Sequence, residues 1–182
     1  MADSVANVYS TALFDLCCEQ NCLENVYEEL VSINDILCSD ENSDFFQLMN
    51  VQQISAAEKN KALSEVFNGK ISPLVMDFLC LLNEKGRFKF LPEITKAFTD
   101  KYNAKMNILE VTAITSTGLS AVLRDKLIKK LSAVSGKTIR LTEKVDKAVI
   151  GGIVLRYGNT ELDSSVKTAL DKLRSQINGV IA

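Results

Sequence analysis

Three glycines, Gly151, Gly152 and Gly158, fall within VIGGIVLRYGNTELDSSV at 149–166. A phosphate cradle is the first chemistry that such a cluster raises. It needs backbone amides converging on an anion, as at a helix N-terminus, with a lysine and a hydroxyl behind the last glycine. Here Gly151-Gly152 runs into Ile153-Val154-Leu155, and Gly158 is followed by Asn159-Thr160. Neither phosphate pattern is met. The residues predict instead a bulge or a close backbone approach at Gly151-Gly152. Gly158-Asn159 reads as hairpin punctuation, both residue types tolerating positive φ.

Other chemistry-bearing residues are scattered. The chain has five cysteines (Cys17, Cys18, Cys22, Cys38 and Cys80) and no histidine. Lack of histidine removes Ser-His-Asp and Cys-His catalysis. A zinc site would need cysteines alone, and Cys17-Cys18-x-x-x-Cys22 contains no Cys-x-x-Cys pair. The odd count, without a secretion signal, argues against a disulfide framework. These residues read as small buried or half-exposed thiols. Glu28-Glu29 and Asp40-Glu41 are sequence neighbours, so on a helix each pair diverges toward solvent. A basic group comprises Arg124, Lys126, Lys129, Lys130, Lys137, Arg140, Lys144 and Lys147, but no aromatic lies between 103 and 156 to stack a base. It reads as a solvated helix face or a dock for an acidic protein segment, with no nucleic-acid partner expected. No base, nucleophile or cofactor motif converges, so the expectation is no catalysis, no cofactor and no metal.

The elements that would carry these residues divide the chain in two. Its 182 residues are 47% hydrophobic, enough for one or two cores, yet no apolar run is long enough to span a bilayer. MADSVANVYS has neither a basic region nor a following apolar segment, so no signal peptide is expected and the chain reads as bacterial and cytoplasmic. Residues 1–60 carry eleven acids and one base, Lys59, for a net −10, while 61–182 carry +8. Such asymmetry implies different partners for the two regions.

Residues 1–105 predict six helices in a bundle. Asp3 or Ser4 caps the first, with Val5, Val8, Tyr9, Ala12, Leu13 and Leu16 on one face. Asn21 opens the second, carrying Leu23, Val26, Tyr27, Leu30, Ile33 and Leu37 on one face. A short third holds Phe45, Phe46 and Leu48. Ser55 and Glu58 have capping-box spacing at the start of the fourth, which ends near Asn68-Gly69. Ser72-Pro73 opens the fifth, running to Gly86. The sixth begins around Leu91-Pro92 and passes Phe98 and Tyr102. Beyond residue 106 the pattern becomes strand, helix, strand, strand, strand, helix. NILEVTAITS, TIRLTEKV and IGGIVLRYG are the first three strands, 119–134 the first helix closed by Gly136, and NTELD a turn with a fourth strand. Ser164 or Ser165 caps a last helix with Val166, Ala169, Leu170, Leu173 and Ile177. The fold class is α+β: a six-helix bundle over 1–105, then a small mixed-sheet α/β domain with two helices over 106–182. Val149, Ile150 and Val166 are expected in the core of the second.

IRLTEKVDKAVIGGIVLRYGNTELDSSV resembles the signature of the delta subunits of rotary ATP synthases, equivalents of the mitochondrial oligomycin-sensitivity-conferring protein. Asp146 stands five residues before Gly151-Gly152. A strand, Arg156 and Gly158 follow, and Asp163-Ser164-Ser165-Val166 opens a helix. Tyr9-Ser10-Thr11-Ala12-Leu13-Phe14 and Leu82-Asn83-Glu84-Lys85-Gly86-Arg87-Phe88, followed by Leu91-Pro92-Glu93, are similar to family segments in the helical half. Departures are small: Ser10 replaces a usual alanine, and Ser164 a frequent glycine, which questions a positive φ at 164.

The resemblance implies a non-catalytic connector. Its helical domain would grip N-terminal amphipathic helices of the alpha subunits, and its C-terminal domain would hold the b subunits of the peripheral stalk. Head and stalk would be joined at the cytoplasmic face of the membrane without membrane insertion, by a chain monomeric when isolated. Carried over to matching positions, the groove residues are Tyr9, Leu13, Phe78, Leu81 and Leu82. Leu13 and Leu82 also suit a bundle core, whereas the Tyr9 hydroxyl favours an interface. The alternative is a free-standing helical adaptor or nucleic-acid-binding protein sharing only the architecture.

Overall fold

In the computed structural model the described residues are 2–39, 43–51, 53–67, 69–158, 160–168 and 170. The chain divides into two compact units, the first ending at Tyr102 and the second beginning at Asn103. Six α-helices come first: α1 (Ala2–Glu19), α2 (Leu23–Cys38), α3 (Ser43–Asn50), α4 (Ala56–Phe67), α5 (Pro73–Glu84) and α6 (Leu91–Lys105). A 3-10 turn at Phe88–Phe90, which periodicity does not signal, precedes α6. The second unit contains β1 (Ile108–Thr115), α7 (Ala121–Ser135), β2 (Thr138–Val145), β3 (Ile153–Tyr157) and β4 (Thr160–Asp163). Helix resumes at Val166–Thr168. The expected positions Leu173 and Ile177 lie outside the described residues, as do Asn68, Asp40, Glu41 and Asn159.

Local chemistry explains most helix ends. The capping box forms: Glu58 N–H donates to Ser55 Oγ at 3.3 Å, while Ser55 N–H and Oγ donate to Glu58 Oε2 at 3.2 and 2.8 Å. These bonds hold the Glu58 carboxyl below the usual glutamate range. Lys59, the one base of residues 1–60, is buried and donates from Nζ to Met49 O at 2.8 Å. It satisfies a carbonyl in the last turn of α3, where a cation also complements the helix dipole. Helix α5 closes on a Schellman turn, with Gly86 at φ +62°, Arg87 N–H bonded to Leu82 O and Gly86 N–H bonded to Asn83 O.

Two starts differ from expectation, and a third keeps its position with a different side-chain partner. Helix α1 already includes Asp3 and Ser4, so neither stands ahead of it. Asn21 does not open α2; it takes the left-handed conformation (φ +52°) that terminates α1, a role asparagine tolerates, and Cys22 occupies the N-cap of α2. Ser72 makes no cap bond to its own helix. Its N–H and Oγ instead donate to Glu29 Oε2 at 2.9 and 2.7 Å, tying the start of α5 to α2.

The second unit is a four-stranded sheet of order β2-β1-β3-β4. Strands β1 and β2 are parallel around the α7 crossover, and the other two pairings are antiparallel. Val111, Ala113, Ile139, Leu141 and Leu155 form the buried cluster, with Leu127, Ile128 and Leu131 of α7 packed on it. Ser120 caps α7, and Gly136 (φ +67°) ends it. Ile150 and Val166 are exposed and Val149 half-buried, so none of the three is core. They flank β3 and β4 rather than alternating within them.

The paired glycines serve a close backbone approach. Gly151 O accepts from Val166 N–H, and Ser164 N–H donates to Ile153 O, both at 3.0 Å, extending the β3–β4 pairing across Gly152. Gly152 sits at φ +85°, and a Cβ there would lie 2.5 Å from Ser164 O and 2.9 Å from Ser165 Cα. The helix start that follows is held by Asp163, whose Oδ1 accepts from Ser165 N–H and Oδ2 from the Thr168 hydroxyl, both at 2.7 Å. Ser164 is not among the described residues at positive φ, so serine fits there without strain.

Gly152→Ala is expected to destabilise the chain by roughly 2–4 kcal/mol in chemical denaturation, from strained φ plus backbone overlap. Gly118→Ala, where a Cβ meets nothing within 4 Å, should be near neutral. The depressed Glu58 pKa contributes stability above the ordinary glutamate value, lost as pH falls through the lower folded value. NMR titration should find the Glu58 carboxyl shifted up toward the ordinary range in Ser55→Ala, with the remaining Ser55 N–H bond keeping part of the depression.

Candidate functional site

Helix α1 carries more apolar residues than one face can bury. Its buried stripe is Ala6, Ser10, Leu13 and Cys17, all at 3% exposure or less. These are mostly small residues, which allow close helix packing; the Ser10 hydroxyl is satisfied by Asn7 O at 3.1 Å. Val8, Ala12 and Leu16, expected on the packed face, are exposed instead. A second apolar stripe therefore faces outward.

That stripe meets a matching one on α5. Tyr9, Ala12, Leu13 and Leu16 from α1, with Leu74, Asp77, Phe78 and Leu81 from α5, line a groove of about 180 Å³. Each set is spaced i, i+3, i+4, i+7, the pattern of one helical face. Seven positions span about 10 Å of helix at 1.5 Å per residue, so each wall is about two turns long. Leu13 (2% exposed) and Phe78 (7%) form the floor, while Leu16 (43%) and Leu81 (42%) form the rims. Among the lining side chains the polar groups are the Asp77 carboxylate and the hydroxyl of the half-buried Tyr9. A shallower depression, including Val8, Ala12 and Asp15, continues over the outer flank of α1.

The structure thus brings together four of the five expected groove residues: Tyr9, Leu13, Phe78 and Leu81. Leu82 is the correction. It is completely buried and does not line the groove, because one residue advances about 100° around a helix and turns Leu82 into the core. Ala12, Leu16, Leu74 and Asp77 complete the lining and follow from the same periodicity once Leu81, rather than Leu82, defines the face.

The walls are fixed from behind. Glu29 anchors the first residue before α5, and Asn83 Nδ2 donates to Ala56 O at 3.1 Å and Asn60 Oδ1 at 2.7 Å. Phe14 meets Phe98 edge-on, with ring centroids 6.0 Å apart, on the inner side of α1. A groove with an apolar floor, anchored walls and a carboxylate at its edge can hold an amphipathic helix. Among the described residues no three His, Cys, Asp or Glu side chains converge as metal ligands. Burial, reinforced by Asp77 and Glu84, pushes the neighbouring Cys80 thiol up, away from thiolate character.

A second depression of about 420 Å³ lies between α2 and the end of α4, lined in part by Ile36, Val66 and Ile71 and edged by Glu28, Glu29 and Lys70. Sequence reasoning missed it. Its signal was Ile36, which falls off the buried stripe of Leu23, Val26, Leu30, Ile33 and Leu37.

The family model for the ATP synthase delta (OSCP) subunit matches residues 5–177. The chain belongs to that family. It is 31% identical over 182 residues to the ATP synthase subunit delta of Clostridioides difficile strain 630, covering all of both chains. It is 35% identical over 177 residues to the counterpart from Symbiobacterium thermophilum, covering 97% of this chain and 94% of that one. Its α+β fold with a mixed sheet matches a chain of the Toxoplasma gondii mitochondrial ATP synthase hexamer solved by cryo-EM. There the TM-score is 0.75 at 28% identity, over 94% of this chain and 96% of the other. Among the described residues no helix is long and apolar enough to cross a membrane.

Rim and core positions should separate cleanly on α5. Leu82→Ala is expected to cost about 2–5 kcal/mol, as for a fully buried leucine. Leu81→Ala, at an exposed rim, should change stability by less than about 0.5 kcal/mol. Parallel denaturation curves of the two variants check this.

Proposed function

We propose that this chain is the non-catalytic connector of a bacterial ATP synthase, holding the catalytic head to the peripheral stalk at the cytoplasmic face of the membrane. The observation that carries the reading is the α1–α5 groove: two facing i, i+3, i+4, i+7 sets with apolar side chains left unburied. Such a trough suits the apolar face of a third helix, with a few anchors giving most of the affinity. The occupant is an N-terminal amphipathic helix of an alpha subunit, and Tyr9, Leu13, Phe78 and Leu81 are its binding residues. The six helices act as one bundle whose packing keeps the groove open. Net charge of −10 over residues 1–60, the Asp77 carboxylate at the groove and Asp15 on the outer flank of α1 favour basic residues flanking the partner's anchors.

The second unit takes the b subunits. Its helix α7 presents Val122 and Leu123 at 63% and 55% exposure, apolar surface of the kind a partner helix covers. With one unit on the head and the other on the stalk, the alpha–beta assembly is kept from turning with the rotor. Ion-driven rotation is thereby converted into ATP synthesis, whose chemistry stays in neighbouring subunits.

Calorimetric titration of the full chain with a peptide spanning the alpha subunit's N-terminal helix tests the grip. Saturable one-to-one binding is expected, weakened about tenfold or more (about 1.4 kcal/mol) by Tyr9→Ala and by Leu81→Ala. Added salt should slow association more than it speeds release. A correctly folded chain that takes up no peptide would contradict the assignment.

A further inference from the structure

The joint between α1 and α2 is built from two thiols. Helix α1 ends in a Schellman turn: Asn21 adopts φ +52°, and Cys22 N–H donates to Cys17 O at 3.1 Å, closing a six-residue loop back onto the helix. In this turn the side chains three residues before the cap and two after it come together, normally as an apolar pair. Here those positions are Cys17 and Cys22. The backbone bond draws them side by side, with Cys22 Sγ 4.0 Å from Cys17 O.

Cys17 and Cys22 differ in access. Cys17 has no exposure, whereas Cys22 is half-buried at the N-cap of α2 and makes no cap bond there. Burial pushes the Cys17 thiol up to about 12, with the adjacent Cys22 thiol the next cause. Cys17 is therefore shielded from reagents in solution but lies against its partner. Cys38, at the end of α2, and Cys80, within α5, have no second cysteine within five residues in sequence.

We infer that Cys17 and Cys22 are a dithiol site that a small organic disulfide oxidises to an intramolecular disulfide, stapling the end of α1 to the start of α2. The Cys22 thiolate attacks one sulfur of the reagent, forming a mixed disulfide and releasing one thiolate. Cys17 then loses its proton and attacks Cys22 Sγ, expelling the second half of the reagent as a thiolate. Two protein thiols are oxidised, one external disulfide is reduced to two thiols, and the two protons leave with them or pass to solvent. The site does not depend on what occupies the α1–α5 groove.

The test incubates the full native chain with oxidised glutathione, followed by cleavage after Glu19, which separates Cys17 from Cys22, and mass spectrometry of linked peptides. The expected product is a Cys17–Cys22 cross-link two hydrogens lighter than the dithiol. Glutathione retained on Cys22 should be at least about tenfold less than in Cys17→Ser, because the neighbouring thiol outcompetes external ones. Cys18→Ser should cross-link as the parent does, and Cys22→Ser should leave Cys17 unmodified. A parent protein that stops at the Cys22–glutathione adduct, a link through Cys18, or a Cys17–Cys22 bond formed only in denaturant would each overturn the proposal. If Cys17→Ser fails to fold, the linkage map of the parent and of Cys18→Ser still decides.

Discussion

The helical unit depends on how α1 divides its apolar residues between two faces. Burying Ala6, Ser10, Leu13 and Cys17 against the other helices leaves Ala12 and Leu16 exposed and Tyr9 half-buried beside α5. A stripe of small residues brings α1 close enough for Leu13 to serve both sides, closing the core and flooring the groove. Larger residues at positions 6 and 10 would push α1 outward, since packed interiors absorb added volume poorly. Everything proposed for the groove rests on that spacing.

The rest of the unit holds the opposite wall. Helix α5 is tied at its start by Glu29 and near its end by Asn83, and it closes on the Gly86 turn. The Glu29 and Asn83 bonds are tertiary polar contacts rather than bulk burial, so they fix rotation as well as position. A turn of about 100° at α5 would exchange Leu81 for Leu82 at the rim and remove one side of the face. The second unit meets a comparable demand differently. There a parallel pair joined through α7 and an antiparallel hairpin share one sheet, and Gly152 lets the chain after β4 lie against the residues before β3. The signature residues around 149–166 are thus accounted for by backbone geometry and helix capping.

Much of this was legible in the residues. Helix-end signals are short-range chemistry, so Ser55 with Glu58, Pro73 and Gly136 mark their helix ends directly. Alternation located β1 and β2, and the phosphate-loop reading of the glycines fails on spacing alone. What escaped was set by tertiary packing. Small residues such as Ala6 and Ser10 leave no apolar period, so α1 was assigned one face using Val8 and Leu16, which prove exposed. Asn21 suits a helix start and a helix end equally, and only its φ distinguishes them. Leu81 and Leu82 are chemically identical neighbours, and the choice between rim and core depends on a rotation that sequence spacing does not supply. Ile150 and Val166 are β-branched but lie outside the strands, beyond the reach of the sheet's core.

The central claim is that the α1–α5 groove, and not the depression between α2 and α4, receives the apolar face of the partner helix. Methyl NMR of the full chain with and without the alpha-subunit N-terminal peptide measures this most directly. The account predicts that the large shift changes fall on Ala12, Leu13, Leu16, Leu74 and Leu81, with Ile36, Val66 and Ile71 unmoved. Changes centred on Ile36, Val66 and Ile71, with the first set silent, would contradict it.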